Sequence, residues 1–134
     1  MRAIIIYGPP GAGKGTQANL LADKFGYIHF DTGKYLESVV NDPINKDNQV
    51  IQREKELFDK GELLTPAWVY QVVSDASQRI GTAGIGLIFS GSPRTMYEAF
   101  GDELHDGLVK ELVGYYGKEN IFVFYLKVNP ELRT

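Results

Sequence analysis

Four short segments of this 134-residue chain are rich in apolar residues, and helical spacing dominates the stretches between them. The first run, Ala3–Tyr7, is rich in isoleucine and is followed at once by glycine and proline. Such a run is typical of a parallel strand that is covered on both faces. The later runs are Tyr27–Phe30, Gly86–Ser90 and Ile121–Val128. The pattern therefore predicts four strands.

Helix signals occupy the segments between the strands. Gln17–Phe25 has helical spacing, and Gly26 is expected to end that helix. Its apolar side consists of Leu20, Leu21 and Phe25. Thr65 before Pro66 is a threonine cap with proline at the first helical position, which predicts a helix of about fifteen residues ending near Gly81.

Two more helices are predicted in the last third of the chain. The first follows Arg94, because Leu104, Leu108 and Leu112 recur every fourth residue on one face. The second is predicted from Asn129-Pro130-Glu131, a cap and first-turn signal that lies only a few residues before the end of the given sequence. We therefore expect the chain to be a fragment of a longer fold.

The segment from about Thr32 to Leu64 is more polar and predicts two helical pieces broken near Asp42-Pro43. Strands that alternate with helices argue for an α/β fold with a three-layer parallel sheet, helices on both faces and right-handed crossovers. At this length we expect residues 1–134 to form one domain, with residues 32–64 as a small helical insert.

Composition narrows the classes of function. The chain has no cysteine, which excludes disulfides and thiolate metal sites and fits a reducing cytoplasm. Its net charge of -3 and its scattered basic residues give no reason to expect nucleic acid or an anionic membrane as partner. The first apolar run is too short for a signal peptide or a membrane span. We expect a cytoplasmic protein without these partners, and a monomer rather than an oligomer.

The segment that carries chemistry is Gly8–Thr16, which lies between the first strand and the first helix and contains the spacing GxxxxGK. Glycines let backbone N–H groups converge on an anion, and a helix N-terminus adds a favourable dipole. Lys14 can reach the outer phosphates of a nucleoside triphosphate, and a hydroxyl near the end of the loop can help to place Mg²⁺. Here Gly15 follows the lysine and Thr16 comes next. The segment predicts a P-loop, a triphosphate-binding site.

A P-loop serves kinases, GTPases and ATP-driven machines alike, so the discriminating motifs lie elsewhere. The loop in its form Gly8–Gln17 resembles that of the adenylate kinases and related nucleoside monophosphate kinases. Asp31-Thr32-Gly33, Lys60–Thr65 and Ser90–Thr95 are similar to three further motifs of that family, in the same order along the chain. The resemblance covers nearly the whole sequence.

This resemblance implies that the chain transfers the γ-phosphoryl group of ATP, with Mg²⁺, to a nucleoside monophosphate (NMP). AMP is the first expectation, and GMP or another NMP is the alternative. Lys14 and Arg94 would be catalytic, with Arg94 bridging the acceptor phosphate and the transferred group. The residues implied to bind the ATP phosphates are Gly11, Ala12, Gly13, Lys14, Gly15 and Thr16. Those implied to bind the NMP are Thr32, Gly33, Lys34, Leu63, Leu64, Gly91, Arg94 and Glu98.

The resemblance implies that Thr16 is a weak metal ligand, because the ion would be held mostly through the nucleotide phosphates and water. For Arg94 the alternative is a surface salt bridge at the start of a helix.

The acceptor-phosphate arginine of the family is replaced by Glu37, and Lys34 stands where aspartate is more usual. A carboxylate that faces a phosphate dianion is repelled. One hypothesis is that Lys34 supplies the missing cation and pairs with Glu37 at spacing i,i+3. The other is an ordinary solvated pair on a helix.

The glutamine that reads the adenine edge in the family corresponds to Glu98. Glutamine offers a donor and an acceptor, whereas an ionised glutamate only accepts. Guanine, with its N1–H and amino group, suits an acceptor better than adenine does. A helix-surface glutamate that contacts no base is the alternative.

The remaining departures concern catalysis. Ser90 replaces an aspartate that helps to orient water on Mg²⁺ in the resembling enzymes, and those enzymes continue past the position of Thr134 with an arginine-bearing lid. We expect this chain to lack that lid, so the alternative function is an impaired nucleotide-binding module without phosphotransfer. A nucleotide hydrolase is disfavoured, since no residue evidently positions an attacking water. His29 and His105 have no partner at metal-ligand spacing, which predicts that neither is functional.

Overall fold

The computed structural model describes residues 1–9 and 11–127. Its strands are β1 Ala3–Tyr7, β2 Ile28–Phe30, β3 Leu87–Phe89 and β4 Ile121–Tyr125. Its α-helices are α1 Lys14–Phe25, α2 Thr32–Asn41, α3 Gln49–Asp59, α4 Pro66–Thr82, α5 Met96–Phe100 and α6 Leu108–Tyr116. Short 3₁₀ turns occupy Pro43–Asn45 and Lys118–Asn120. The predicted helix start at Asn129-Pro130-Glu131 lies outside the described residues, as does Val128.

The four strands form one parallel sheet in the order β2-β3-β1-β4. Apolar side chains of β1 alternate between its two faces, as the pleat of a strand requires. Ala3 and Ile5 belong to a cluster with side chains of α4 and α6, whereas Ile4 and Ile6 belong to a second cluster with side chains of α1. Helices therefore cover both faces of the sheet, which confirms the predicted three-layer α/β fold.

The side of α1 that faces the sheet differs from the prediction. Ala18 and Ala22 are the buried residues of this helix, whereas Leu20 is 58% exposed. Two alanines let the helix axis approach the isoleucines of β1 closely. Leu21 packs against the same cluster and is partly buried, whereas Leu20 and Phe25 are exposed. Gly26 ends the helix with φ +69°, a left-handed conformation that favours glycine.

The single helix predicted after Arg94 is wrong, because the chain forms two helices there. Gly101 and Gly107 take positive φ values of 75° and 87° between them. An α-helix cannot continue through such residues. Leu108 is fully buried on α6, but Leu104 is 91% exposed on the connecting segment, so the two leucines do not share a helix face.

The polar segment after β2 folds as predicted into two helices, α2 and α3, separated by the turn at Pro43–Asn45. Thr65 precedes α4 as expected, but its side chain does not cap that helix. Its hydroxyl donates instead to Glu54 on α3. None of the helices in the described residues is long and apolar enough to cross a membrane.

Candidate active site

The segment Gly8–Thr16 joins the end of β1 to the start of α1 at the carboxyl edge of the sheet. Gly11 and Gly13 adopt φ values of +82° and +88°, which side chains other than glycine rarely adopt. At Gly8 a Cβ would lie 2.9 Å from the carbonyl oxygen of Leu126, so glycine is required for close approach to the chain after β4. The glycines are therefore needed for the shape of this loop.

The first turn of α1 presents backbone N–H groups to the loop. A helix leaves its first amides without helical partners, and the residue that precedes α1, Gly13, has no side chain with which to cap them. The first turn also contains no acidic residue. Lys14 Nζ donates to the carbonyl oxygen of Gly8 at 2.9 Å, which holds its ammonium group over the loop. This arrangement suits a polyphosphate.

A cavity of about 340 Å³ lies beside the loop and contains both predicted catalytic residues. Lys14 and Arg94 reach it from segments far apart in sequence, because β1 and β3 are neighbours in the sheet and their carboxyl ends meet. The cavity is lined by Ile6, Tyr7, Gly8, Lys14, Ser90, Gly91 and Arg94. Within the described residues Arg94 forms no ion pair, and no salt bridge of the kind given as its alternative is found there.

A hydrogen bond from Tyr7 links β1 to the segment that carries Arg94. Its hydroxyl donates to the carbonyl oxygen of Pro93 at 2.7 Å. Burial, and then the negative charge of Glu98, raise the pKa of the Tyr7 hydroxyl. Tyr7 is therefore a neutral donor over a wide pH range, and the bond keeps Arg94 beside the loop.

A second cavity, of about 150 Å³, adjoins the first. Of the eight residues expected to bind the NMP, seven line it: Thr32, Gly33, Leu63, Leu64, Gly91, Arg94 and Glu98. Gly91 and Arg94 line both cavities. We call this second space the acceptor cleft.

Glu98 is buried in the wall of the acceptor cleft. Its Oε1 accepts from the backbone N–H of Arg94 at 3.0 Å, and its own N–H donates to Oγ1 of Thr95 at 3.0 Å. The side chain is not on the helix surface, since the residue is only 6% exposed. Its Oε2 has no hydrogen-bond partner among the described residues. One oxygen therefore holds the Arg94 loop, and the other is an unused acceptor.

The opposite wall of the cleft depends on Glu54, a residue that the sequence analysis did not single out. This glutamate is fully buried on α3. Its two oxygens accept from the N–H and the hydroxyl of Thr65, both at 2.7 Å. Leu63 and Leu64 directly precede Thr65 and line the cleft together with Arg94. The bonds of Thr65 therefore hold these two leucines in place. Glu54 and Thr65 are eleven positions apart in the sequence, and no short motif indicates that they pair.

Thr32 and Ser92 meet at the base of the cleft, where their hydroxyl oxygens are 2.6 Å apart. Both residues are buried. Gly91 lies next to both segments, since a Cβ there would be at van der Waals distance, 3.4 Å from Arg94 Nη2 and 3.5 Å from Thr32 Cβ. The start of α2 and the segment after β3 are thus held together at the site.

Lys34 lies apart from the acceptor cleft. It lines another cavity, of about 610 Å³, together with His29, Asp31 and Arg79 among others. Within the described residues it forms no ion pair with Glu37, so the predicted i,i+3 pair is wrong. Thr32 and Gly33 face the cleft while Lys34 does not, since successive residues of a helix point in different directions.

His29 makes two hydrogen bonds that the sequence did not reveal. Its Nδ1 is 2.7 Å from Oδ1 of Asn19, and its Nε2 is 2.6 Å from Oγ of Ser90. Burial lowers the pKa of the imidazole, while Asp31 raises it and Lys34 lowers it by smaller amounts. Spacing could not have shown this contact, because His29 and Ser90 lie on different strands.

The donors for a metal ion are few at this site. Within the described residues, no three His, Asp or Glu side chains lie together in a group that could hold an ion. Among the residues that the structure describes, the Ser90 hydroxyl lines the cavity beside the loop and no carboxylate does. Thr16, exposed in the first turn of α1, offers a further hydroxyl oxygen.

Comparisons with known proteins agree with this arrangement. A protein-family model described as adenylate kinase matches residues 6–132. The adenylate kinase of Paracoccus denitrificans is 38% identical over 96 residues, which is 72% of this chain and 41% of that protein. That of Archaeoglobus fulgidus is 38% identical over 109 residues, 81% of this chain and 46% of that protein. That of Rhizobium meliloti is 40% identical over 98 residues, 72% of this chain and 47% of that protein. The chain spans less than half the length of each of these relatives.

Proposed function

Since this chain belongs to the adenylate kinase family, we propose that it transfers the γ-phosphoryl group of ATP to a nucleoside monophosphate. The observation that carries the proposal is the position of Arg94, which lines both the cavity beside the phosphate loop and the acceptor cleft. A guanidinium at the junction of two nucleotide sites can contact the phosphate of each. Its planar fork of donors suits phosphate oxygens.

The donor phosphates would be held by Gly11, Ala12, Gly13, Lys14, Gly15 and Thr16. Most of the catalytic effect in phosphoryl transfer comes from positioning the two nucleotides and neutralising charge on the moving group. Lys14 would neutralise charge at the outer phosphates from the loop, and Arg94 from the cleft side. Arg94 Nε donates to the carbonyl oxygen of Gly91 at 2.8 Å, which holds the side chain at the junction of the two cavities.

The available donors fit a magnesium ion that is bound mainly through the phosphates of the nucleotide. Mg²⁺ prefers oxygen ligands and keeps several waters. Thr16 would contribute a hydroxyl oxygen, and Ser90 could bond a water on the ion. The ion would neutralise phosphate charge during transfer.

The acceptor would lie in the cleft, where Thr32, Gly33, Leu63, Leu64, Gly91 and Glu98 form the walls. AMP is the acceptor that the family name suggests. The unused oxygen of Glu98, however, favours a base that presents N–H donors, such as guanine.

A second candidate function is a nucleotide-binding module without phosphotransfer. Three features favour it. Lys34 lies outside the acceptor cleft, and among the described residues no carboxylate lines the cavity beside the loop. Glu37 stands where the family resemblance implies an arginine. Arg94 is then the only cationic side chain of the described residues that lines the cleft.

A coupled assay with ATP, Mg²⁺ and a panel of monophosphates tests the proposal, with ATP affinity measured by calorimetry on the same samples. The kinase proposal expects ADP to form only when a monophosphate is present. Arg94→Ala should abolish this transfer but retain ATP binding, whereas Arg53→Ala, an exposed arginine on α3, should behave as wild type. Binding of ATP without transfer to any monophosphate would support the module instead.

A further inference from the structure

Ser90, His29 and Asn19 form a hydrogen-bonded chain at the carboxyl edge of the sheet. Ser90 directly follows β3, His29 lies on β2, and Asn19 is on α1. Ser90 Oγ is 2.6 Å from His29 Nε2, and His29 Nδ1 is 2.7 Å from Asn19 Oδ1. A hydroxyl bonded to an imidazole that is itself oriented by a third group is the arrangement of an activated nucleophile.

The partners of the imidazole determine where its proton lies. The amide oxygen Oδ1 of Asn19 can only accept, so Nδ1 of a neutral imidazole must carry the proton in this bond. Nε2 then has a free lone pair, and the Ser90 hydroxyl donates its proton to it. The lone pairs of Ser90 Oγ therefore point away from His29.

Ser90 also lines the cavity that contains Lys14 and Arg94. The hydroxyl thus contacts the base and shares a cavity with the two cations expected at the outer phosphates. A phosphoryl group on Ser90 would carry roughly −1.5 to −2 charge at neutral pH and would lie among these two cations. The surroundings would stabilise the phosphorylated product.

We propose that Ser90 is a phosphoryl acceptor, with His29 as its general base and Asn19 as the residue that orients the base. Ser90 Oγ attacks the γ-phosphorus of a nucleoside triphosphate on the loop, and a bond forms between that oxygen and phosphorus. The bond from the γ-phosphorus to the oxygen that bridges it to the β-phosphorus breaks, and a nucleoside diphosphate leaves. His29 Nε2 takes the serine proton and releases it to solvent afterwards.

This self-phosphorylation rests on the donor site of the proposed function but needs no monophosphate. Its pH dependence follows from the charge state of His29, which must be neutral to act as a base. Asp31, Lys34, Tyr35 and Arg79 line the cavity next to the imidazole and set its surroundings together with Asn19 and Ser90. Because burial lowers the pKa of His29 below 6.5, the rate should be level at neutral pH and fall only in acid.

The test incubates the purified chain with ATP and Mg²⁺, without a monophosphate, and follows the mass of the intact protein. We expect the gain of one phosphoryl group, located by peptide mapping on Ser90. Ser90→Ala and Lys14→Ala should abolish it, and Ser38→Ala, an exposed serine on α2, should retain it. His29→Gln can still hydrogen-bond but is no base, and it should slow the reaction by about 10²- to 10⁴-fold and remove the acid limb of the pH profile.

Several results would overturn the proposal. These are an unchanged mass at ATP concentrations that calorimetry shows to be saturating, a phosphoryl group on another residue, and a His29→Gln rate equal to wild type. Transfer to a monophosphate without phosphorylation of Ser90 would leave the proposed kinase standing and remove this proposal alone. Failure to bind ATP would remove both.

Discussion

Glu98→Gln is the substitution that best tests how the acceptor base is chosen. The two side chains have nearly the same shape, and the amide oxygen of glutamine can still accept from the N–H of Arg94, as Oε1 of Glu98 does at 3.0 Å. What changes is the second atom, because the unpartnered acceptor Oε2 becomes an NH₂ donor. The variant therefore keeps the structural bond and alters only the atom that has no partner among the described residues.

The expected effect follows from pairing at a buried position. Glu98 is 6% exposed, so a mismatched polar group of the ligand cannot turn to water there. Leaving one buried donor or acceptor unsatisfied costs about 1–3 kcal/mol, which corresponds to about 5- to 150-fold in a rate ratio. Guanine presents N1–H and an amino group to the carboxylate, whereas N1 of adenine is an acceptor that faces another acceptor.

The assay measures kcat/KM for GMP and for AMP with ATP as donor, in wild type and in Glu98→Gln. We expect the wild type to prefer GMP. In the variant the ratio of kcat/KM for GMP to that for AMP should fall by about 5- to 150-fold. Glu103→Gln, which changes the same charge at an exposed position, should leave the ratio unaltered. Thermal unfolding of each protein would show whether the Arg94 bond has been kept.

Two outcomes would refute this reasoning. If wild type turns over AMP and GMP comparably, Glu98 does not read the base edge. If wild type prefers GMP but Glu98→Gln keeps that preference, other residues of the cleft select the base, and the only role left for Glu98 is to hold the Arg94 loop.

Other substitutions test the donor site, the cleft wall and a buried tyrosine. Lys14→Ala removes a charge-assisted hydrogen bond to phosphate and should weaken ATP binding by about 10- to 150-fold in calorimetry, while Lys24→Ala at the far end of α1 should not. Glu54→Gln places an NH₂ group against a donor of Thr65 and should lower the free energy of unfolding in urea by about 1–3 kcal/mol; an unchanged value would mean that the buried pairing contributes nothing. Burial, with the Glu111 carboxylate, raises the pKa of Tyr70 from 10.0 to about 12. The folded state thus holds this proton more tightly than the unfolded state does, so stability is retained below about pH 10 and lost as pH rises toward 12, and unfolding of Tyr70→Phe should depend less on pH across that range.

Local features of the fold could be predicted because each depends on residues close together in sequence. The isoleucine run of β1, the left-handed glycine that ends α1 and the proline after Thr65 are signals of this kind, and the structure contains each element they indicated. The prediction of a helix across Leu104 is wrong because it rests on leucine spacing, whereas Gly101 and Gly107 on either side of Leu104 have positive φ. Glycine at positive φ ends a helix whatever the apolar pattern around it.

In the candidate site, too, some features could be predicted from residues close together in sequence and others could not. Glycine spacing and the short motifs placed residues of the loop and the cleft at strand ends, and parallel strands bring their carboxyl ends together. The bonds that hold these residues join segments distant in sequence: Glu54 to Thr65, His29 to Ser90, and Tyr7 to Pro93. A single sequence gives no spacing rule for such pairs, because the distance between two side chains depends on how several elements pack.

His29 is a further example of a contact that depends on packing. Metal-ligand spacing concerns only ligands that lie nearby in the sequence. The partners of His29 are instead a serine that follows the neighbouring strand and an asparagine from the helix on the sheet. Ser90 stands where the family resemblance implies an aspartate, and a carboxylate could only accept a hydrogen bond from the imidazole. A serine hydroxyl can also donate, and with Nδ1 of His29 bonded to Asn19 Oδ1 it donates to Nε2. This direction of the bond is what the base role that we propose for His29 requires.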